Sequence, residues 1–213
     1  LDIVVLNEVY RAFHRFVDAG IRLFLLVGNH DRTGVGNEHA LEVFSDMYGV
    51  VDCPNTLHFI GGDVVAIPFH PNPRVIVNAI KKHVTKDTQL LLLHCAVKNT
   101  TLHSGAVWGE GIPLSAIPKH VTCVMGHYHK FFKLRENVYY LGSMLQVDKS
   151  DAESEKYYAI YDSGSKRLTF EATLGPKFVT VDIERPTAGY YDGLAPIIKG
   201  NFVTIRNLPS GYY

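Results

Sequence analysis

The chain has 213 residues, 46% of them hydrophobic and 20% charged, with 21 Lys and Arg balancing 21 Asp and Glu. That length and apolar content support one sizeable core with a small appendage and exclude a disordered chain. Zero formal charge and a pI near 7.3 exclude a protein that grips DNA mainly by neutralising phosphates, so any hold on nucleic acid must be local: bound metal, a small patch or a partner.

Residues 1–19 are predicted to form an amphipathic helix, because Ile3, Leu6, Tyr10, Phe13 and Val17 recur at steps of three and four. Gly20 fits its C-terminal cap. A buried strand, Leu23–Val27, follows at once. A helix running into a strand in this way ordinarily has a strand before it too, and its absence predicts an N-terminally truncated domain. Next come a Gly-rich loop over 33–37, a helix over 38–48 and a hairpin whose strands, 57–60 and 64–67, flank Gly61-Gly62-Asp63. A rigid loop over 68–73 leads to a helix over 74–83 and a strand over 89–94. Residues 96–112 form a long polar loop, a length that often marks function. Strands are predicted at 121–125, 138–141, 157–161 and 168–172, the last two as a hairpin, and this half is expected to form a second sheet. Gly175-Pro176 marks a boundary, giving a core over 1–174 and a second unit over 175–213. Two strands, 178–183 and 201–205, follow the boundary, separated by a polar loop rich in Pro, Gly and Tyr.

No apolar run approaches the roughly eighteen residues of a membrane span, so no membrane association is expected. Cys53, Cys95 and Cys123 show neither paired metal spacing nor an even framework. They read as reduced and cytoplasmic. Cys95 adjoins His94, but neighbours on a strand face opposite ways.

Three of the apolar runs end in polar residues of one chemical kind. Leu23–Val27 leads into Gly28-Asn29-His30-Asp31, Leu90–Leu93 ends on His94, and Val121–Met125 leads into Gly126-His127-Tyr128-His129. In open α/β sheets, ligands bind at the C-terminal edge of the strands. Imidazole nitrogen and amide oxygen are good donors to divalent transition metals. The three segments therefore predict a metal site assembled by loops on a rigid sheet.

In this order, the three segments resemble three of the five signature blocks of the calcineurin-like metallophosphoesterases. The other two, D-x-H and G-D-x-x-D, do not occur in these 213 residues. Within that superfamily the chain is most similar to SbcD-type DNA exonuclease subunits, through Val9–Phe13, Leu26–Arg32, Gly126–Lys130 and Tyr140–Ser143. The resemblance covers residues 1–185 and implies a four-layer α-β-β-α sandwich of two mixed sheets, here lacking its first strands. It implies two divalent metal ions, Mn2+ in this branch, and makes Asn29, His94 and His127 ligands of one ion and His129 a ligand of the other. His30 becomes the acid that protonates the leaving oxygen, with Asp31 orienting its imidazole. The implied partners are DNA, a second copy of the chain and an SbcC-like coiled-coil ATPase. The region after Gly175 would begin a capping domain that contacts DNA.

Two metal ions about 3.5–4 Å apart supply what phosphodiester hydrolysis needs, an activated water and neutralised phosphate oxygens. The absent blocks would complete the second ion and the bridge, so these residues alone are expected to be weak or inactive. Substrate contacts are expected from Lys130, in a basic-aromatic cluster with Tyr128, Phe131, Lys133 and Arg135, and from His103 in the long loop. His14, His39, His58, His70, His83 and His120 read as structural or solvated. Two other functions fit the same site: a protein phosphatase or nucleotide phosphodiesterase, or a non-catalytic fragment without the bridging Asp.

Overall fold

The computed structural model describes residues 3–32, 38–59, 61–101, 107–152, 154–183 and 190–207. It is a mixed α/β protein built on a six-stranded mixed sheet. Helix α1 (Ile3–Asp18) forms on the expected periodicity. Only Leu6, Val9 and Phe13 are half-buried, and Phe13 packs edge-on against Phe44 and Tyr48 at ring separations of 5.3 and 5.7 Å. Strand β1 (Phe24–Leu26) pairs in parallel with β2 (Gly49–Val51). The helix expected over 38–48 is a shorter 3-10 segment, Ala40–Phe44. His39 caps it without a side-chain hydrogen bond, so no polar group supports a longer first turn.

The main sheet begins with a hairpin, β3 (Asn55–Phe59) and β4 (Gly62–Ile67). Helix α2 (Pro73–His83) then starts on a designed-looking signal: Asn72 Oδ1 accepts from Arg74 N–H at 3.0 Å and Pro73 opens the first turn. Its Ile76, Ala79 and Ile80 are buried, and each isoleucine contributes roughly 1.5–3 kcal/mol of burial. After β5 (Thr88–His94), the long polar loop contains a small antiparallel pair, β6 (Thr100–Thr101) and β7 (Val107–Trp108). Expected substrate residue His103 lies outside the described residues. Strands β8 (Thr122–Gly126), β9 (Phe132–Arg135) and β10 (Val138–Tyr140) complete the sheet in the order β3-β4-β5-β8-β10-β9. The four inner strands run parallel and the two edge strands antiparallel. Leu91, Leu93, Cys123, Met125 and Tyr140 fill the core, as near-continuous apolar strands do in a sheet covered on both faces.

Two expectations are corrected here. Strands β8 and β10 do not found a second sheet but extend the first, because β8 pairs in register with β5 from Leu90–Thr122 to His94–Gly126. Of the four strands expected in that second sheet, β11 (Tyr157–Asp162) and β12 (Arg167–Ala172) stand apart from the main one, as the expected hairpin. The stretch read as a polar loop holds helix α3 (Tyr190–Ile198), despite Pro196 within it. It joins β13 (Phe178–Asp182) to β14 (Phe202–Arg206), which pair in parallel and so need a crossover connection. Among the described residues, no helix is long and apolar enough to cross a membrane.

Candidate metal centre

The parallel strands β4, β5 and β8 end at one edge, and β1 is tied to that edge by Phe69 N–H, which donates to Val27 O at 2.9 Å. The Gly28–Asp31 turn, His94 and the Gly126–His129 turn therefore emerge side by side. Asn29 Oδ1 lies 2.8 Å from His94 Nε2 and 3.3 Å from His127 Nδ1. Ligands on one ion, bound at about 2.1 Å each, sit about 3 Å from one another, and both distances from the Asn29 oxygen have that spacing. Two imidazole nitrogens suit a borderline divalent ion such as Zn2+ or Fe2+, and the amide oxygen adds a donor that the harder Mn2+ also accepts. No three His, Cys, Asp or Glu side chains converge in this way among the described residues, and the triangle owes its third donor to an amide.

The glycines of both motifs have a steric reason. A Cβ on Gly28 would stand 2.7 Å from His94 Cε1, and one on Gly126 would stand 2.9 Å from His94 Nδ1. The ring of His94 thus occupies a slot between two bare backbones. The chain bends after β8 at His127, which has φ 112°, a region that L residues rarely adopt and that persists only where the surroundings enforce it. Phe69, which sequence reasoning missed, stacks on the His127 ring at 6.2 Å and meets the His94 ring edge-on at 6.3 Å. Its only sequence signal was a place between Pro68 and Pro71 at a strand end.

Burial, and then the neighbouring His127, push the His94 pKa down to about 4 against the opposing pull of Asp31. Burial, with His30 and His129 nearby, lowers His127 as well. Both rings are neutral at neutral pH, so a metal need not displace a proton charge. A consequence is measurable in the metal-free chain. Between pH 6.5 and about 4 the unfolded imidazole of His94 binds a proton that the folded one refuses, so stability falls as pH drops through that window. The expected loss is on the order of 2–3 kcal/mol, allowing for partial solvent access. Urea titrations of wild type and His94→Gln at pH 7 and pH 4.5 check it; coincident pH profiles would contradict the assignment.

The other expected site residues divide. His30 is exposed and makes no hydrogen bond or ion pair among the described residues, though its charge acts on His94 and His127. Asp31 does not pair with it. Its Oδ2 accepts from Gly28 N–H at 2.7 Å and closes the turn that presents Asn29. His129 is exposed, with its side chain outside the Asn29–His94–His127 triangle but close enough to influence His127 and Asp148.

The basic-aromatic cluster disperses. Arg135 donates to Asn137 Oδ1 and to the carbonyls of Ile117 and Pro118. Lys133 pairs with Glu136 at 3.0 Å, and Phe131 packs on Tyr157 and Phe170. Tyr128 packs on Tyr140. Lys130 is left as the cluster's candidate for substrate, one residue beyond His129. Cys95 is buried in the core cluster, and burial pushes its thiol up to about 12. No protein-family model and no curated protein matches this chain.

Proposed function

We propose that this protein hydrolyses phosphodiesters with divalent metal ions, as the DNA-end exonuclease subunit of an SbcCD-like complex. The observation that carries the reading is the meeting of Asn29 Oδ1 with ring nitrogens of His94 and His127, at 2.8 and 3.3 Å, at the C-terminal ends of the parallel inner strands of a mixed sheet. In this reading Asn29, His94 and His127 hold one ion and His129 helps to hold a second, both Mn2+. When bound, the metals neutralise charge on the phosphate oxygens and acidify an attacking water. The chain's own groups do the rest. Phe69 keeps solvent from the back of the two imidazoles, His30 stands outside the ligand triangle with a free ring to protonate the leaving oxygen, and Lys130 meets the phosphate backbone. The β1–β2 pair belongs to the second sheet of a four-layer sandwich. The working assembly is a homodimer with a coiled-coil ATPase.

The test uses the product of the entire reading frame that encodes these residues, with Mn2+. It is expected to degrade linear double-stranded DNA from its ends and to cleave bis-p-nitrophenyl phosphate. Phosphomonoesters and phosphopeptides should be poor substrates. Raising salt should slow DNA digestion far more than cleavage of the small diester, because only the polymer releases condensed counterions. Efficient dephosphorylation of phosphopeptides with linear DNA left intact would put a phosphatase in place of this reading. An in-frame D-x-H and G-D-x-x-D upstream is the quickest independent check.

A further inference from the structure

The turn bearing His127 and His129 is gripped from outside its own sheet by a buried ion pair. Lys156, just before β11, and Asp151, in the 3-10 segment Lys149–Asp151, have side chains 4% and 2% exposed and lie 3.0 Å apart. The same ammonium donates to His129 O at 2.6 Å. That carbonyl also accepts from Ser143 N–H at 3.1 Å. Asp151 is itself fixed, since Oδ2 accepts from Val147 N–H at 3.0 Å and the Ser154 hydroxyl donates to its backbone carbonyl at 2.7 Å. Burial pushes its pKa up, but the Val147 N–H and Lys156 together hold it below the usual carboxylate range.

A buried pair is a poor device for stability alone. Its desolvation is costly, and apolar side chains of similar volume commonly do as well or better. What an apolar pair cannot do is donate to the His129 carbonyl. Two residues before that carbonyl stands His127 at φ 112°, a conformation that relaxes unless its neighbours hold it. We infer that Lys156, held in place by Asp151, is a positioning residue for the metal centre, pinning the His127–His129 turn so that both rings keep their ligating geometry. The inference rests on the metal-centre reading of His127 and His129. It also makes the β11–β12 hairpin part of the site's support, although no residue of that hairpin reaches the ligand triangle.

The experiment measures the Mn2+ affinity and Tm of the full-length protein for wild type, Lys156→Met and the double variant Asp151→Leu/Lys156→Met. Lys156→Met is expected to weaken Mn2+ by about ten- to a hundredfold, as loss of a ligand's outer support does. It also strands the Asp151 carboxylate and lowers Tm. In the double variant both charges are gone, so Tm returns to the wild-type value or above, while Mn2+ binding stays at least about tenfold weak. That separation of affinity from stability is what a merely structural pair would not produce. A double variant with wild-type affinity overturns the inference and leaves the metal centre standing. Wild-type protein that does not bind Mn2+ overturns both.

Discussion

His30→Ala is expected to lower the rate of phosphodiester cleavage by about 10²–10⁴-fold, the usual contribution of a positioned general acid, while leaving Mn2+ affinity unchanged. The Asn29–His94–His127 triangle forms without it: Asn29 faces His94 and His127, and the next side chain turns out to solvent. Its charge nevertheless acts on both imidazoles. The structure changes what is expected of its neighbour. Asp31 orients the Gly28 N–H and not the His30 ring. Asp31→Asn should therefore loosen the turn that presents Asn29 and weaken Mn2+ binding several-fold, with a smaller effect on the metal-saturated rate. Calorimetry with Mn2+ and single-turnover rates at saturating metal separate the two roles. Loss of metal in His30→Ala would make His30 a ligand and end its assignment as the acid.

Gly28→Ala should be nearly as damaging although it touches no ligand atom by deletion. The added Cβ would lie 2.7 Å from His94 Cε1, well inside van der Waals contact, so something must move. The ring has little room, because Gly126 closes the other side of the slot and Phe69 meets its edge at 6.3 Å. A displacement approaching 1 Å at a ligand is enough to spoil a coordination shell. We expect Mn2+ affinity to fall by about ten- to a hundredfold and stability by about 1–3 kcal/mol from overpacking. Gly109→Ala is the matched control, since a Cβ there meets none of the described residues within 4 Å. Unchanged metal affinity in Gly28→Ala would show that the His94 ring does not ligate from this slot.

Much of the architecture follows from local rules. Asn72 and Pro73 start α2 because a side-chain acceptor and a donor-free first residue satisfy a helix N-terminus from within the neighbouring sequence. The β11–β12 hairpin and the apolar strands β5 and β8 are likewise legible, since alternation and unbroken apolar runs are local patterns. Helix α3 was not, because Gly193 and Pro196 argue against a helix locally. The parallel pairing of β13 with β14 demands a crossover there all the same. Sheet membership was not legible either: the pattern of β8 says buried strand, but only its register with β5 decides which sheet takes it.

The candidate site divides along the same line. The sequence by itself placed Asn29, His94, His127 and His129 after apolar runs at strand ends, and their suitability as metal donors is a property of side-chain type. The meeting of Asn29 with His94 and His127, the slot around His94 and the grip of Lys156 on the His129 carbonyl were decided only in three dimensions. Asn29 meets His94 across 65 residues of chain and His127 across 98, and Lys156 reaches His129 across 27. Local propensity carries no information over such separations; only the pairing of strands and the packing of their ends brings those atoms within bonding distance.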